Sequence, residues 1–315
     1  MRPLLRYLRH WRNWLGIALL AVMIGVAIAT PALVPQKNPL NPVTFKQIGS
    51  GVDAIPKPPS VKALLGTLSG QYDVLFTLLW GLRQAFTFGL SVTVITATFG
   101  VLYGAASAYL GGHANNILMR IADAFLAVPV LAAIVFMRQI LAILLAQTGI
   151  ILTHLWAIPE KFTSLQQFFI DADPVMWSLI LLSWMPYARL VNASVLCLRK
   201  VDYVVSARAL GAGHAQIILR HLLPNAISPA IVLAARDVGG MVILQATFTF
   251  IGLGWNSPWG SLLSQARNWV VGPGGNPLAY WWTYLPATIT LIIFSISWNF
   301  VGDSLNNWLN PRKMA

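Results

Sequence analysis

Six apolar runs decide what this chain can become. Residues 14–34, 75–110, 117–152, 176–198, 226–250 and 280–301 are dominated by aliphatic and aromatic side chains. Each reaches or exceeds the roughly 18–20 residues that a helix needs to cross the hydrocarbon of a bilayer. Only 10% of the 315 residues are charged, against about 25% in a soluble domain. An all-α integral membrane protein with six transmembrane helices is expected.

The segments between the runs set the topology. Residues 1–13 carry Arg2, Arg6, Arg9 and Arg12 without an acid. With the run that follows and Ala27-Ile28-Ala29 they have the form of a signal peptide, but the run is long for one. Retention as a first helix, basic end inside, is expected. Residues 35–75 hold Pro35, Pro39, Pro42, Pro56, Pro58 and Pro59, which forbid long helices, and lysines that keep the segment in water. They read as an extracytoplasmic loop. Residues 153–175 and 251–279 fall on the same side. The first of these either covers the outer mouth, contacts an outer binding protein, or is a tolerated loop. Basic residues favour the opposite side, where both termini and Arg199, Lys200, Arg208 and Arg220 fall, so both termini are expected in the cytoplasm. The net charge of +12 is thereby explained by orientation against membrane lipid, with no need for nucleic acid. Within the runs, Gly81, Gly89, Gly100 and Gly104 suggest close helix packing. Arg120 and Asp123 are spaced to pair across one helical turn. Pro186 is expected to kink its helix.

The longest polar, helix-compatible insert is residues 202–224, DYVVSARALGAGHAQIILRHLLP. It reads as two short amphipathic helices just outside the membrane. Ser206, Ala207 and Arg208 belong to the first. Gly211 and Gly213 permit a sharp corner. Ile217, Ile218, Leu222 and Leu223 give the second an apolar stripe, and Pro224 starts the next element. His214 and His221 lie seven apart on one face. Two ligands without nearby carboxylates are too few for a metal, so they read as solvated loop histidines.

The order Ser206-Ala207, Gly211, His221, Leu223-Pro224 resembles the EAA loop of ABC importer permeases. RALGA followed by RHLLPNAISP is most similar to the dipeptide/oligopeptide/nickel branch. The resemblance spans residues 65–312. It includes Leu65-Gly66-Thr67 with Asp73-Val74, and the corner Tyr109-Leu110-Gly111-Gly112. It continues through Trp184-Met185-Pro186-Tyr187-Ala188-Arg189, Phe250 to Gly254, Trp259-Gly260-Ser261, and Gly302-Asp303 with Asn310-Pro311-Arg312.

That resemblance implies a type I ABC importer permease fold. Residues 1–75 would be a first helix with an outer loop, and 76–312 a core of five transmembrane helices carrying the coupling loop. In the family the loop docks into a groove of a cytoplasmic ATPase. The implied contact residues are Asp202, Val205, Ser206, Ala207, Arg208, Gly211, Gly213, His221, Leu223 and Pro224. Val205 stands where the family has its glutamate, and Asp202 is the candidate replacement. Implied partners are a second homologous permease subunit, two ATPase subunits that hold ATP and Mg, and an extracytoplasmic substrate-binding protein. No cofactor is implied for this chain. The location would be a bacterial-type plasma (inner) membrane.

Ionisable groups inside spans are costly and point to function. Arg138, Arg236, Asp237 and Gln245 (the last where the family often has glutamate) are candidates for a translocation path suited to peptide termini or another ionic solute. No GxxxxGK[ST] phosphate loop, HExxH or GxSxG occurs in the sequence, and Cys197 is the single cysteine. A non-catalytic permease subunit is expected. The competing classes are a secondary transporter, which would usually show paired repeats with broken helices, and a membrane scaffold without transport.

Overall fold

The computed structural model describes residues 11–36, 44–49, 54–147, 173–254, 257–271, 276 and 278–309. Among these the secondary structure is helical, with isolated antiparallel bridges such as Gln47 with Tyr72. The chain divides into two compact units: Met1–Ser91 with Val232–Ala315, and Val92–Ile231. Both boundaries fall inside long helices.

The first unit holds α1 (Trp11–Leu33), the first half of α2 (Val74–Leu110), most of α10 (Ser228–Phe250), α11 (Pro258–Ala266) and α12 (Trp281–Leu309). α1 lies along α12. Gly16 permits that approach, since a Cβ there would stand 3.3 Å from the Phe300 carbonyl carbon. Trp259 of α11 is buried, and its Nε1 donates to the Leu78 carbonyl of α2 at 3.1 Å. Phe294 meets Phe86 and Trp259 edge-on, at centroid distances of 5.1 and 5.8 Å. α11 is a short helix that follows α10. Ser257 caps it by accepting from Gly260 N at 3.2 Å, and Leu262 and Ala266 are buried.

The described part of the loop between α1 and α2 is folded by local turns. Thr67 N donates to the Lys57 carbonyl at 2.9 Å and Asp73 N to the Lys46 carbonyl at 2.8 Å. Trp269 Nε1 donates to Ser69 Oγ at 2.9 Å, tying this loop to the segment after α11. At the head of α2, burial pushes the Asp73 carboxyl above its ordinary range. The Leu75 and Phe76 amides and Lys46 pull the other way.

The second unit contains the second half of α2, then α3 (Gly112–Leu126), α4 (Val130–Gln147), α5 (Pro174–Leu182), α6 (Met185–Leu198) and the 202–224 loop. Gly100 and Gly104 lie one turn apart on α2 and face α6. A Cβ on Gly104 would press on the Ala188 carbonyl, 2.9 Å from its carbon. A Cβ on Gly100 would lie 2.7 Å from Tyr187 Cβ. Nearby, Asn192 Nδ2 donates to Asn115 Oδ1 at 2.6 Å, and Ser107 Oγ to the same oxygen at 2.8 Å. This fixes α2, α3 and α6 to one another by polar bonds as well as by packing.

Among the described residues, five helices or helix pairs are long and apolar enough to cross a membrane, and a sixth span requires counting a bent pair as one. The described part of the expected run 117–152 falls in that pair, and it is not one straight helix. α3 and α4 meet at 82°. Pro129 has no N–H to continue the ladder and disfavours helical geometry at Val128. Residues 176–198 also divide, into α5 and α6, with Pro186 in the first turn of α6. Residues 151–172, most of the expected outer insertion, lie outside the described residues. Asp173 caps α5 by accepting from Val175 N at 2.9 Å.

Candidate functional site

The loop begins with α7 (Asp202–Ala209). Asp202 in its first turn and Arg208 in its last complement the helix dipole. Val204 is fully buried and anchors the helix. The corner follows: Gly211 N donates to the Arg208 carbonyl at 3.0 Å and Ala212 N to the Ala207 carbonyl at 3.1 Å. Gly211 takes φ +84, the left-handed region that favours glycine. Gly213 does not: at φ −66, ψ 155 it is extended backbone open to other residues. The expectation of two turn-forming glycines is corrected to one.

The second half runs through α8 (His214–Gln216), a π-helical turn Ile217–Leu222 and α9 (Leu223–Ala226). Ile217 and Leu222 are fully buried. Five residues apart, they would diverge by about 140° on an α-helix. The i→i+5 winding brings them to one face. Pro224 therefore opens a one-turn helix, and the long span starts only at Ser228.

Asp202, Val205, Ser206, Arg208, Gly211, Gly213 and Pro224 are exposed, while Ala207, His221 and Leu223 are half-buried. The loop thus buries its apolar stripe and turns most of the motif outward. His214 departs from the solvated reading. Exposed as it is, its Nδ1 lies 2.8 Å from Tyr109 Oη at the end of α2. Ala106, Tyr109, Leu110, Arg208, His214 and Ile218 line a cavity of about 460 Å3 there. In the sequence Tyr109 stands out only as part of a corner, because nothing local marks a tyrosine as the partner of a residue 105 positions away.

The path candidates divide between the two units. Arg138 is exposed on α4 in the second unit; the other three lie in the first. Arg236 of α10 pairs with Asp303 of α12, each side chain about half exposed. Gly302 makes the room, since a Cβ there would lie 2.6 Å from Arg236 Cγ. Asp237 is half-buried beside it, and Gln245 is buried at 2% exposure and lines no open surface of this chain. Asp123 likewise finds a distant partner: it binds Arg189 of α6, correcting the expected pair with Arg120. Asp123 and Arg120 share a helix, but α6 brings a guanidinium directly to the carboxylate.

Removing one partner of the Arg236–Asp303 pair leaves a lone charge in a spanning helix. Arg236→Ala is expected to cost roughly 1–2 kcal/mol, less than the 3–5 of a fully buried pair because both groups are half exposed. Thermal unfolding in detergent checks this. The exchange Arg236→Asp/Asp303→Arg should recover most of the loss, and no recovery would refute the pairing as the cause.

Comparison with known proteins adds four findings. Residues 82–314 match the family model described as binding-protein-dependent transport system inner membrane component. A Brucella abortus protein named as a peptide transport system permease is 29% identical over 310 residues, 98% of this chain and 90% of that protein. An Escherichia coli K12 protein named as a D,D-dipeptide transport system permease is 29% identical over 258 residues, 81% of this chain and 75% of its own length. A solved chain of the MetNI methionine ABC transporter, in inward-facing conformations, is 19% identical. It covers 74% of this chain and 97% of that one, with a TM-score of 0.48.

Proposed function

The chain belongs to the binding-protein-dependent transport system inner membrane components, the permease subunits of ABC importers, and on that premise we propose that it moves peptides or a related small solute into the cytoplasm. The peptide transport named for its relatives supports the solute class. The observation that carries the mechanism is the construction of the 202–224 loop. A stripe of Val204, Ile217 and Leu222 is fixed inward, and an outward face carries Asp202, Val205, Ser206 and Arg208. A packed body with an exposed face is what a partner must grip in order to move helices.

In this reading both termini are cytoplasmic. Two ATPase subunits, which hold ATP and Mg, dock on this loop and on that of a second, homologous permease. An extracytoplasmic binding protein delivers the solute, and closure of the ATPases draws the loops together so that the path opens to alternate sides. This chain then has no hydrolytic chemistry of its own. Asp237 and the Arg236–Asp303 pair are assigned to the translocation path.

The test is purification from native membranes in mild detergent, followed by mass spectrometry and transport in proteoliposomes. A second permease, ATPase chains and ATP-dependent peptide uptake are expected. Uptake driven by an ion gradient with no ATPase present would replace this reading with a secondary transporter. Partners without solute flux would point to a scaffold.

A further inference from the structure

Both halves of the 202–224 loop close on one side chain that lies outside it. Tyr109, near the inner end of α2, is buried, with 8% exposure. From the first half, Arg208 Cζ stands 5.3 Å from the centre of the tyrosine ring, in cation–π range. From the second half, His214 Nδ1 shares a hydrogen bond with Tyr109 Oη at 2.8 Å, with the two rings 5.5 Å apart edge-on. Between Arg208 and His214 lies the left-handed corner at Gly211.

The ring is itself a fixed post. The preceding residue's carbonyl, Ala108 O, accepts from Arg199 Nη1 at 2.9 Å. Ser107 is held in the network of Asn115 and Asn192. A corner built on glycine tends to flex, and a flexing corner would absorb a displacement applied to either half. Clamping both halves to one ring makes the corner and the end of α2 move as one.

We propose that Tyr109 is the positioning residue that passes displacement of the loop to α2. The assignment rests on the coupling role given to the loop above. It concerns no contact with the ATPase; it concerns how the motion enters the membrane helices.

The test uses the complete complex in proteoliposomes and reads solute moved per ATP hydrolysed, beside the amount of ATPase that copurifies. Tyr109→Phe keeps the ring under Arg208 and removes the Oη bond. It should lower the transport ratio by about three- to tenfold, the range set by one neutral hydrogen bond, with copurification unchanged. His214→Leu should give the same loss, and the double variant no more than either alone. His214→Asn, which keeps a polar atom near the Nδ1 position, should recover part of it. A structural role in folding alone would move copurification and stability, not this ratio. A Tyr109→Phe complex with the wild-type ratio, or additive losses in the double variant, overturns the assignment while leaving the coupling reading intact. A wild-type chain that brings no ATPase removes the coupling role and this assignment together.

Discussion

Valine at position 104 is expected to abolish most of the folded protein. The Gly104 Cβ position presses on the Ala188 carbonyl and lies 2.9 Å from both its carbon and Cα. These are backbone atoms of α6, so no rotamer change relieves the clash; the helices must separate. Separation would also open the Asn192–Asn115 bond at 2.6 Å and the packing of Trp184, Met185 and Ala188 around Ala122. Overpacking in a close-packed interior costs about 1–3 kcal/mol, and here the lost polar network adds about 1 kcal/mol per bond. Thermal unfolding in detergent and the monodisperse yield are the measurements. Gly240→Ala is the control: a Cβ there has no atom within 4 Å, so alanine should be neutral or slightly stabilising. A Gly104→Val protein unfolding within about 1 °C of wild type would overturn the packing argument.

Tryptophan at position 207 is expected to break the link between hydrolysis and transport. Ala207 sits half-buried in α7 between exposed Ser206 and Arg208, and its carbonyl closes the Gly211 corner. The methyl group leaves room for a docked surface. An indole adds an aromatic body of some 150–250 Å2 that the partner must go around. Losing one central contact of an interface costs about 2 kcal/mol or more, so solute-stimulated hydrolysis should fall at least about tenfold in the reconstituted complex. Ala207→Ser should stay near wild type. Solute-stimulated hydrolysis in the Ala207→Trp complex equal to wild type would remove the loop from the docking face.

What the sequence disclosed follows from the range of each cause. Apolar length located α1, α2, α10 and α12 because hydrophobic burial is summed along contiguous residues. The glycines at 100 and 104 were legible as a packing stripe because a helix sets i and i+4 on one face. The loop's corner was legible in Gly211 but over-read in Gly213, since composition alone does not say which glycine takes the positive φ. Partner choice was not legible. Asp123 had Arg120 within a turn and took Arg189. Arg236 had Asp237 beside it and took Asp303. Side-chain pairing across helices depends on which faces meet, and that is settled by packing. Gln245 shows the same limit: a polar residue in a span suggests a lined channel, yet tertiary packing encloses it.

The 67-residue separation of Arg236 and Asp303 also bears on how the chain is made. α10 leaves the ribosome with its guanidinium well before the carboxylate that answers it exists. At about 5–20 residues per second the gap lasts roughly 3–13 seconds. During that interval an arginine that raises the cost of insertion by about 2.5–3.5 kcal/mol must be tolerated at the translocon or sheltered by Asp237. α12 therefore completes α10 as well as adding itself, and a chain terminated before residue 303 would present Arg236 to the membrane's quality control without its Asp303 partner.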